Sequence, residues 1–201
     1  MIFDTHAHYD DEAFDGDREE LLGSLQNQGI RAVTNVAASL KSCETTLALA
    51  ENYDFIYGAI GVHPSETAEL DENGMERLEH WCGCKKIRAV GEIGLDYYWE
   101  EPDHEIQKKW FVRQLDLARR SRLPVIIHSR DAARDTLDIM KAEGAGEIGG
   151  VIHCFSYTFI YCFNGFNCSC FYTCMSNHIR ICEVNDNYII FFRFDCLYQF
   201  V

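Results

Sequence analysis

Residues 124–128 read Pro124-Val125-Ile126-Ile127-His128, a short apolar and largely β-branched run that ends in a histidine. A helical stretch follows over Asp131–Glu143, and a second short apolar run comes after it, Gly150-Val151-Ile152-His153. Short β-branched runs favour strands, and apolar residues at helical spacing favour an amphipathic helix. Because parallel neighbours need a crossover connection, two strands joined by a helix are typical of a parallel pair. These residues therefore predict a βαβ unit.

The same alternation of short apolar runs and helical stretches extends back to the first residues. Six strands are predicted, at Ile2–His6, Ala32–Val36, Phe55–Gly61, Ile87–Ile93, Pro124–His128 and Gly150–His153. Helices are predicted between them at Asp17–Gln28, Lys41–Asn52, Glu66–His80, Glu105–Ser121 and Asp131–Glu143. The buried side of Glu105–Ser121 is predicted from the spacing of Trp110, Phe111, Leu115 and Leu117. Alternation of this kind is typical of an α/β fold, a parallel sheet with helices outside it.

Two parallel architectures fit this alternation, a doubly wound sheet and a (β/α) barrel. Thr5-His6-Ala7-His8 stands where a dinucleotide-binding fold would place a Gly-rich phosphate-binding loop after its first strand, which disfavours that fold. We therefore expect a TIM-type (β/α)8 barrel. Since only six strands are predicted, the barrel should be incomplete at its C-terminal side, with about six βα units.

Length and charge narrow the class of protein. A chain of 201 residues can form one domain with a sizeable core. Neither a signal peptide nor an apolar run of about 18 residues is found, so we predict a soluble, cytoplasmic protein without a membrane partner. The net charge of −14 argues against a broad basic surface for duplex DNA. Any nucleic acid must be held locally, for example by bound divalent cations.

The composition changes sharply after about Thr158. Residues 159–201 contain no Ala, Lys or Pro, one Leu, eight of the thirteen Phe and six of the ten Cys. They show neither a helical period nor sustained alternation. We therefore predict a barrel part over residues 1–158 and an aberrant tail over residues 159–201. A reading-frame change in AT-rich coding sequence is the favoured origin of the tail, and a genuine divergent ending is the alternative.

Residues that can bind a metal end four of the predicted strands. His6 and His8 are two residues apart, so in a strand their imidazoles face the same side. Glu92 ends an apolar strand, where a buried carboxylate is unfavourable unless it is paired or bound to a cation. His128 and His153 end the next two strands, and each alone could be a satisfied core histidine. Together the five favour a metal site, because (β/α) barrels place active sites at the C-terminal ends of their strands.

Five motifs stand in order along the chain: Phe3-Asp4-Thr5-His6-Ala7-His8, Gly61-Val62-His63-Pro64, Gly91-Glu92-Ile93-Gly94-Leu95-Asp96-Tyr97-Tyr98, Leu123-Pro124-Val125-Ile126-Ile127-His128-Ser129-Arg130 and Val151-Ile152-His153-Cys154-Phe155-Ser156. They resemble, in the same order, the signature motifs of the TatD-like metal-dependent hydrolases. The resemblance covers about residues 1–157. It implies an amidohydrolase-type (β/α)8 barrel that hydrolyses DNA, as an exonuclease or related deoxyribonuclease, with two divalent cations.

The resemblance also implies a role for each candidate ligand. His6, His8 and Glu92 match the ligands of one metal ion. Glu92, His128 and His153 match the ligands of the second, so that Glu92 would bridge the two ions. Histidine and carboxylate ligands suit several metals, which leaves Mg²⁺, Mn²⁺ and Zn²⁺ open.

Residues around these ligands are assigned in the same way. His63 matches a family histidine near the substrate phosphate and joins Glu92 as a catalytic residue, with a plain turn residue as the alternative. Asp96 and Arg130 are expected to support the site from just outside. A late family Asp in a Glu-Thr-Asp-x-Pro context has no counterpart, and Asp195 lacks the following Pro. We therefore expect poor nuclease activity.

The expected reaction is hydrolysis of a phosphodiester bond by a water molecule that two divalent cations activate. No covalent nucleophile is needed. Two other functions remain open. The same barrel could serve an amidohydrolase or lactonase, and the chain could be an inactive metal-binding product of a frame-shifted gene.

Overall fold

The computed structural model describes residues 2–155 and the two strand segments 179–184 and 187–192. Six parallel strands follow one another in the sheet: β1 (Ile2–Ala7), β2 (Ile30–Val36), β3 (Ile56–Ile60), β4 (Ile87–Asp96), β5 (Val125–Arg130) and β6 (Gly150–Phe155). The helices between them are α1 (Arg18–Leu25), α2 (Leu40–Asn52), α3 (Glu72–Cys82), α4 (His104–Ser121), α5 (Ala133–Ala142) and α6 (Ala145–Ile148). The predicted α/β fold, a TIM-type barrel with about six parallel βα units, is confirmed.

Two further strands, β7 (Ile179–Val184) and β8 (Asn187–Phe192), extend the sheet in the opposite sense. β8 pairs antiparallel with β6, and β7 pairs antiparallel with β8, so that β1 and β7 are the two edges of the sheet. The sequence analysis assigned no strands to this part of the chain and was wrong for these two segments. Their β-branched and aromatic residues favour strands, and a separation of two residues favours an antiparallel pair over a crossover.

One predicted helix is divided in the structure. Where Glu66–His80 was expected to be a single helix, a 3₁₀ helix over Pro64–Glu69 precedes α3. Leu70 between them is extended and buried. Asp71 then begins α3, because its side chain accepts a hydrogen bond from the backbone N–H of Gly74 as an N-cap. Asp71 is therefore a helix-start signal in the sequence, and the prediction from hydrophobic spacing did not take it into account.

The core lies mainly between the outer face of the sheet and the helices. Four residues of α4 that were predicted to be buried, Trp110, Phe111, Leu115 and Leu117, are all buried and belong to the largest apolar cluster. A separate small cluster joins Val36, Ala59, Ala89 and Ile126 from four neighbouring strands, as in the inner layer of a barrel. No helix in the described part of the chain is both long and apolar enough to cross a bilayer.

Candidate metal centre at the strand ends

The carboxylate of Glu92 lies at the centre of the candidate site and is 3% exposed. Its Oε2 atom lies 3.3 Å from Nε2 of His6 and 3.8 Å from Nε2 of His8. Its Oε1 atom lies 2.7 Å from Nδ1 of His128 and 3.6 Å from Nε2 of His153. The structure thus brings all five predicted ligands together, with two histidines beside each carboxylate oxygen.

Strand register explains how residues so distant in sequence meet. His128 of β5 is paired with His153 of β6 on one side and with Gly94 of β4 on the other. Gly94 has a φ of +136°, and a Cβ atom there would lie 2.1 Å from the carbonyl oxygen of His128. A side chain at this position would force β4 and β5 apart. Glycine therefore permits the close approach that sets His128 beside Glu92.

The last residue of β2 and the two residues after it hold three of the site residues through their backbone carbonyls. The hydrogen bonds run from Nδ1 of His8 to Val36 (2.7 Å), from the backbone N of Glu92 to Ala37 (2.9 Å) and from the backbone N of His63 to Ala38 (2.8 Å). We call residues 36–38 the carbonyl segment. The sequence analysis missed it, since every residue has a carbonyl group and no side-chain signal marks these three.

Hydrogen bonding of the rings indicates which nitrogens carry lone pairs. Because a carbonyl only accepts, Nδ1 of His8 must donate to Val36, which leaves Nε2 as the nitrogen that can offer a lone pair to a metal ion. This Nε2 faces Nε2 of His6 at 3.1 Å. Nε2 of His128 is buried without a hydrogen-bond partner and lies 3.3 Å from Oδ2 of Asp96. Converging imidazoles around a buried carboxylate fit a divalent metal ion.

The ionisation states of these groups suit the same chemistry. Burial opposes ionisation of Glu92, but hydrogen bonds with His128 and His6 outweigh it and hold the pKa of this carboxyl well below its usual range. Burial lowers the pKa of His63 and of His153 to about 4. Near pH 7 the carboxylate is therefore charged, and both of these imidazoles are neutral.

His63 lies beside the metal cluster, and its hydrogen bonds point to a role other than ligand. Its ring makes an edge-on contact with His128, with 4.3 Å between the centroids, and a ring nitrogen lies within 4.8 Å of a carboxylate oxygen of Glu92 and a ring nitrogen of His128, close enough for the three to share a metal ion. Nδ1 accepts a hydrogen bond from the backbone N–H of Ser65 at 3.2 Å. The neutral ring therefore carries its proton on Nε2, which makes that atom a donor instead of a metal ligand.

Asp96 and Arg130 form a two-point ion pair directly outside the cluster, where the sequence analysis expected them. Nε of Arg130 lies 2.9 Å from Oδ1 of Asp96, and Nη2 lies 2.6 Å from Oδ2. Burial raises the pKa of Asp96, but the hydrogen bonds from Arg130 and from the backbone N–H of Tyr98 lower it by more than burial raises it. The pKa of Asp96 is therefore below its usual value. The ionised Asp96 thus backs His128 with negative charge, as carboxylates commonly do for metal-binding histidines.

A half-barrel of parallel strands with four histidines and a glutamate at its C-terminal rim defines a TIM-type barrel of the class that binds metal ions at the strand ends. The family model for TatD-related DNases matches residues 3–177. The chain belongs to this family, and the resemblance found in its five motifs is confirmed.

Three comparisons illustrate the relationship. The chain is 38% identical over 156 residues to the uncharacterized metal-dependent hydrolase YabD of Bacillus subtilis, covering 78% of this chain and 61% of YabD. It is 30% identical over 157 residues to the 3'-5' ssDNA/RNA exonuclease TatD of Cronobacter sakazakii, covering 78% and 60%. The crystal structure of YjjV, a TatD homologue from Escherichia coli K12, superposes with a TM-score of 0.73 and 34% identity, covering 80% of this chain and 62% of YjjV. The chain thus spans about three fifths of the length of these relatives.

Proposed function

We propose that this chain carries the metal-binding part of a TatD-like deoxyribonuclease, which cleaves DNA phosphodiester bonds with a water molecule activated by two divalent cations. One observation carries the proposal. Glu92 directs Oε2 towards His6 and His8, and Oε1 towards His128 and His153. A carboxylate between two pairs of imidazoles is suited to bridge two ions. The name of the Cronobacter relative supports a nucleic-acid substrate.

The chain's own residues divide the work of such a reaction. Bound cations would supply charge that polarises the phosphoryl group and lowers the pKa of the attacking water. Glu92 and the four histidines would hold these cations. His63, as a neutral Nε2–H donor, would bind a phosphate oxygen next to them. Arg130 is already neutralised by Asp96, so it would hold the Asp96 carboxylate beside His128 instead of presenting a free positive charge to the phosphate.

The division of the chain into a hydrolase part and a tail, and the cellular location of the protein, belong to the same proposal. We propose that residues 1–158 form the hydrolase part and that residues 159–201 are an aberrant tail, so that this chain cleaves DNA slowly or not at all. Asp195, the candidate for the late family Asp, lies outside the described residues. A cytoplasmic location stays a prediction. Sequencing of the gene downstream tests the tail, because a frame change predicts that a Glu-Thr-Asp-x-Pro motif resumes in another frame.

The proposed activity is tested by cleavage of end-labelled DNA with added Mg²⁺, Mn²⁺ or Zn²⁺. Two proteins are compared, this chain and a version whose residues 159–201 are replaced by a full-length family ending. We expect metal-dependent cleavage that is faster in the second protein and absent from its Glu92→Gln variant. Amide and lactone substrates are assayed in parallel. Their metal-dependent hydrolysis without DNA cleavage would establish the amidohydrolase alternative, and metal binding without any hydrolysis in either protein would contradict both.

A further inference from the structure

Two adjacent aromatic side chains are exposed directly after β4, at the same end of the sheet as the metal centre. Tyr98 is 59% exposed and Trp99 is 55% exposed, and their rings meet edge to face with 4.7 Å between the centroids. Single exposed apolar residues are ordinary, but neighbouring large ones commonly mark a binding surface. We call Tyr98 and Trp99 the aromatic pair.

The aromatic pair is connected to the metal centre by a chain of short contacts. The guanidinium carbon of Arg130 lies 4.5 Å from the ring centroid of Tyr98, and Arg130 is held by both oxygens of Asp96. Oδ1 of Asp96 also accepts the backbone N–H of Tyr98 at 3.1 Å. Oδ2 of Asp96 lies 3.3 Å from Nε2 of His128. Tyr98 is therefore fixed in place beside the site, and Trp99 extends the surface outwards.

Arg130 also limits how this surface can bind a polyanion. Its charge is compensated by Asp96, and the whole chain carries a net charge of −14. Few phosphate contacts are therefore available to supply affinity. Stacking of bases on aromatic rings needs no positive surface and accepts any base, because every base has a π-face.

We propose that Tyr98 and Trp99 form a base-stacking subsite for a nucleotide that flanks the phosphodiester bond bound at the metal centre. This inference rests on the proposed function and adds the residues that would select nucleic acid over other phosphodiesters. Tyr98, with Arg130 against it, provides the fixed wall. Trp99 provides the ring on which an unpaired base stacks. A base inside a duplex has both faces covered by its neighbours, so duplex DNA gains little from this subsite.

The subsite is tested by binding, with two single strands of equal charge as probes. One is an eight-residue oligothymidylate, and the other is the same backbone with stable tetrahydrofuran abasic sites. Tryptophan emission of the full chain is titrated with each strand, and the emission change due to Trp99 is obtained by subtracting that of Trp99→Phe. We expect the strand with bases to bind between about 5- and 150-fold more tightly and to quench Trp99.

Variants separate stacking from a merely structural role. In Trp99→Ala and Tyr98→Ala the preference for bases should fall towards one, whereas Trp99→Phe, which keeps an aromatic ring, should retain most of it. Ile106→Ala is the matched control, since Ile106 is also an exposed apolar residue, in the first turn of α4. It should keep the full preference. Equal binding of the two strands by the unmodified chain, or a preference unchanged in both alanine variants, overturns the inference.

Cleavage of the same strands separates failure of the inference from failure of the proposed function. The abasic strand contains the bond but no base, so its metal-dependent hydrolysis in the version with the full-length ending reports on the metal centre alone. Cleavage of both strands with equal efficiency would retain the nuclease and reject the stacking subsite. Absence of cleavage, together with a preference for bases that depends on Trp99, would reject the nuclease and retain nucleic-acid binding by the aromatic pair.

Discussion

The two sides of Glu92 use the same ligand chemistry with different support. On the β1 side, His6 and His8 face Oε2 with side chains 16% and 41% exposed, and Nδ1 of His8 donates to a neutral backbone carbonyl. On the β5–β6 side, His128 and His153 face Oε1 with side chains 8% and 35% exposed, and His128 lies beside the charged Asp96.

For the two-metal site proposed above, this difference predicts unequal affinities for the two cations. A carboxylate behind an imidazole raises its basicity more than a carbonyl does, and burial removes competing water. The β5–β6 side should therefore bind a cation more tightly, and the β1 side should exchange its cation more readily. The shared Glu92 couples the two sides, and the stacked rings of His6 and His153, with centroids 4.1 Å apart, show how close they lie.

Glu92→Gln should have the largest effect, because it removes the charge that both sides share. Affinity for both cations should fall by more than the roughly 10- to 100-fold that is typical of losing an outer-shell partner. Calorimetric titration with Mn²⁺ or Zn²⁺ measures it. Glu72→Gln is the matched control, since Glu72 is an exposed carboxylate paired with Arg113. Two-ion binding that survives unchanged in Glu92→Gln would refute the bridging role.

Single histidine substitutions should separate the two sides. His8→Ala should reduce the stoichiometry from two cations to one and leave the tighter ion in place. His128→Ala should also leave one cation, but the weaker one, because it removes the buried ligand next to Asp96. Metal content after dialysis against chelators of graded strength distinguishes these outcomes. If His128→Ala retains the tighter ion, the assignment of the two sides is reversed.

Asp96→Asn should have a smaller effect, confined to the β5–β6 side. The substitution keeps the volume but removes the negative charge behind His128 and the partner of Arg130. We expect the tighter cation to bind about 10- to 100-fold more weakly and the other to bind as before. Asp135→Asn is a suitable control, since Asp135 pairs with Lys108 and Tyr97 away from the cluster. Equal weakening of both cations would indicate a general loss of structure.

Sequence patterns predicted the parts of this comparison that depend on strand ends. Period-two alternation set His6 and His8 on one face, and polar residues after apolar runs marked Glu92, His128 and His153. The predicted strand ends were wrong by two or three residues, because β4, β5 and β6 continue to Asp96, Arg130 and Phe155. Helical spacing similarly predicted the buried face of α4. For the candidate ligands the signal was a side chain whose chemistry is out of place in an apolar run, and for α4 it was the spacing of apolar residues.

The sequence did not predict features that depend on which backbone atoms approach each other. The carbonyl segment at residues 36–38 has no distinctive side chain, and the need for Gly94 appears only when β5 lies beside it. The two antiparallel strands β7 and β8 were missed because irregular composition obscured two short β-branched and aromatic runs. Support of the β1 side by the carbonyl segment is therefore a finding of the structure alone.

The smallest expected effect concerns the indirect support of the β1 side. Oδ1 of Asp10 accepts from the amide of Asn35 at 2.7 Å, and the amide oxygen of Asn35 accepts the backbone N–H of Tyr9, the residue after His8, also at 2.7 Å. Oδ2 of Asp10 accepts from the hydroxyl of Ser42. Asp10 thus acts on His8 through a partner, whereas Asp96 lies against His128 itself.

Asp10→Asn should therefore weaken the β1-side cation by less than the roughly 10-fold lower limit expected for a direct outer-shell partner, and should leave the β5–β6 cation unchanged. The release rate of the weaker cation should be more sensitive than its affinity, because His8 would lose positional restraint while keeping its bond to Val36. Stopped-flow mixing with a chelator measures this rate, and we expect faster release. Asp54→Asn, at an exposed carboxylate just before β3, is the matched control and should change neither rate. An effect of Asp10→Asn as large as that of Asp96→Asn would show that the two sides are supported equally, and the proposed difference between them would be lost.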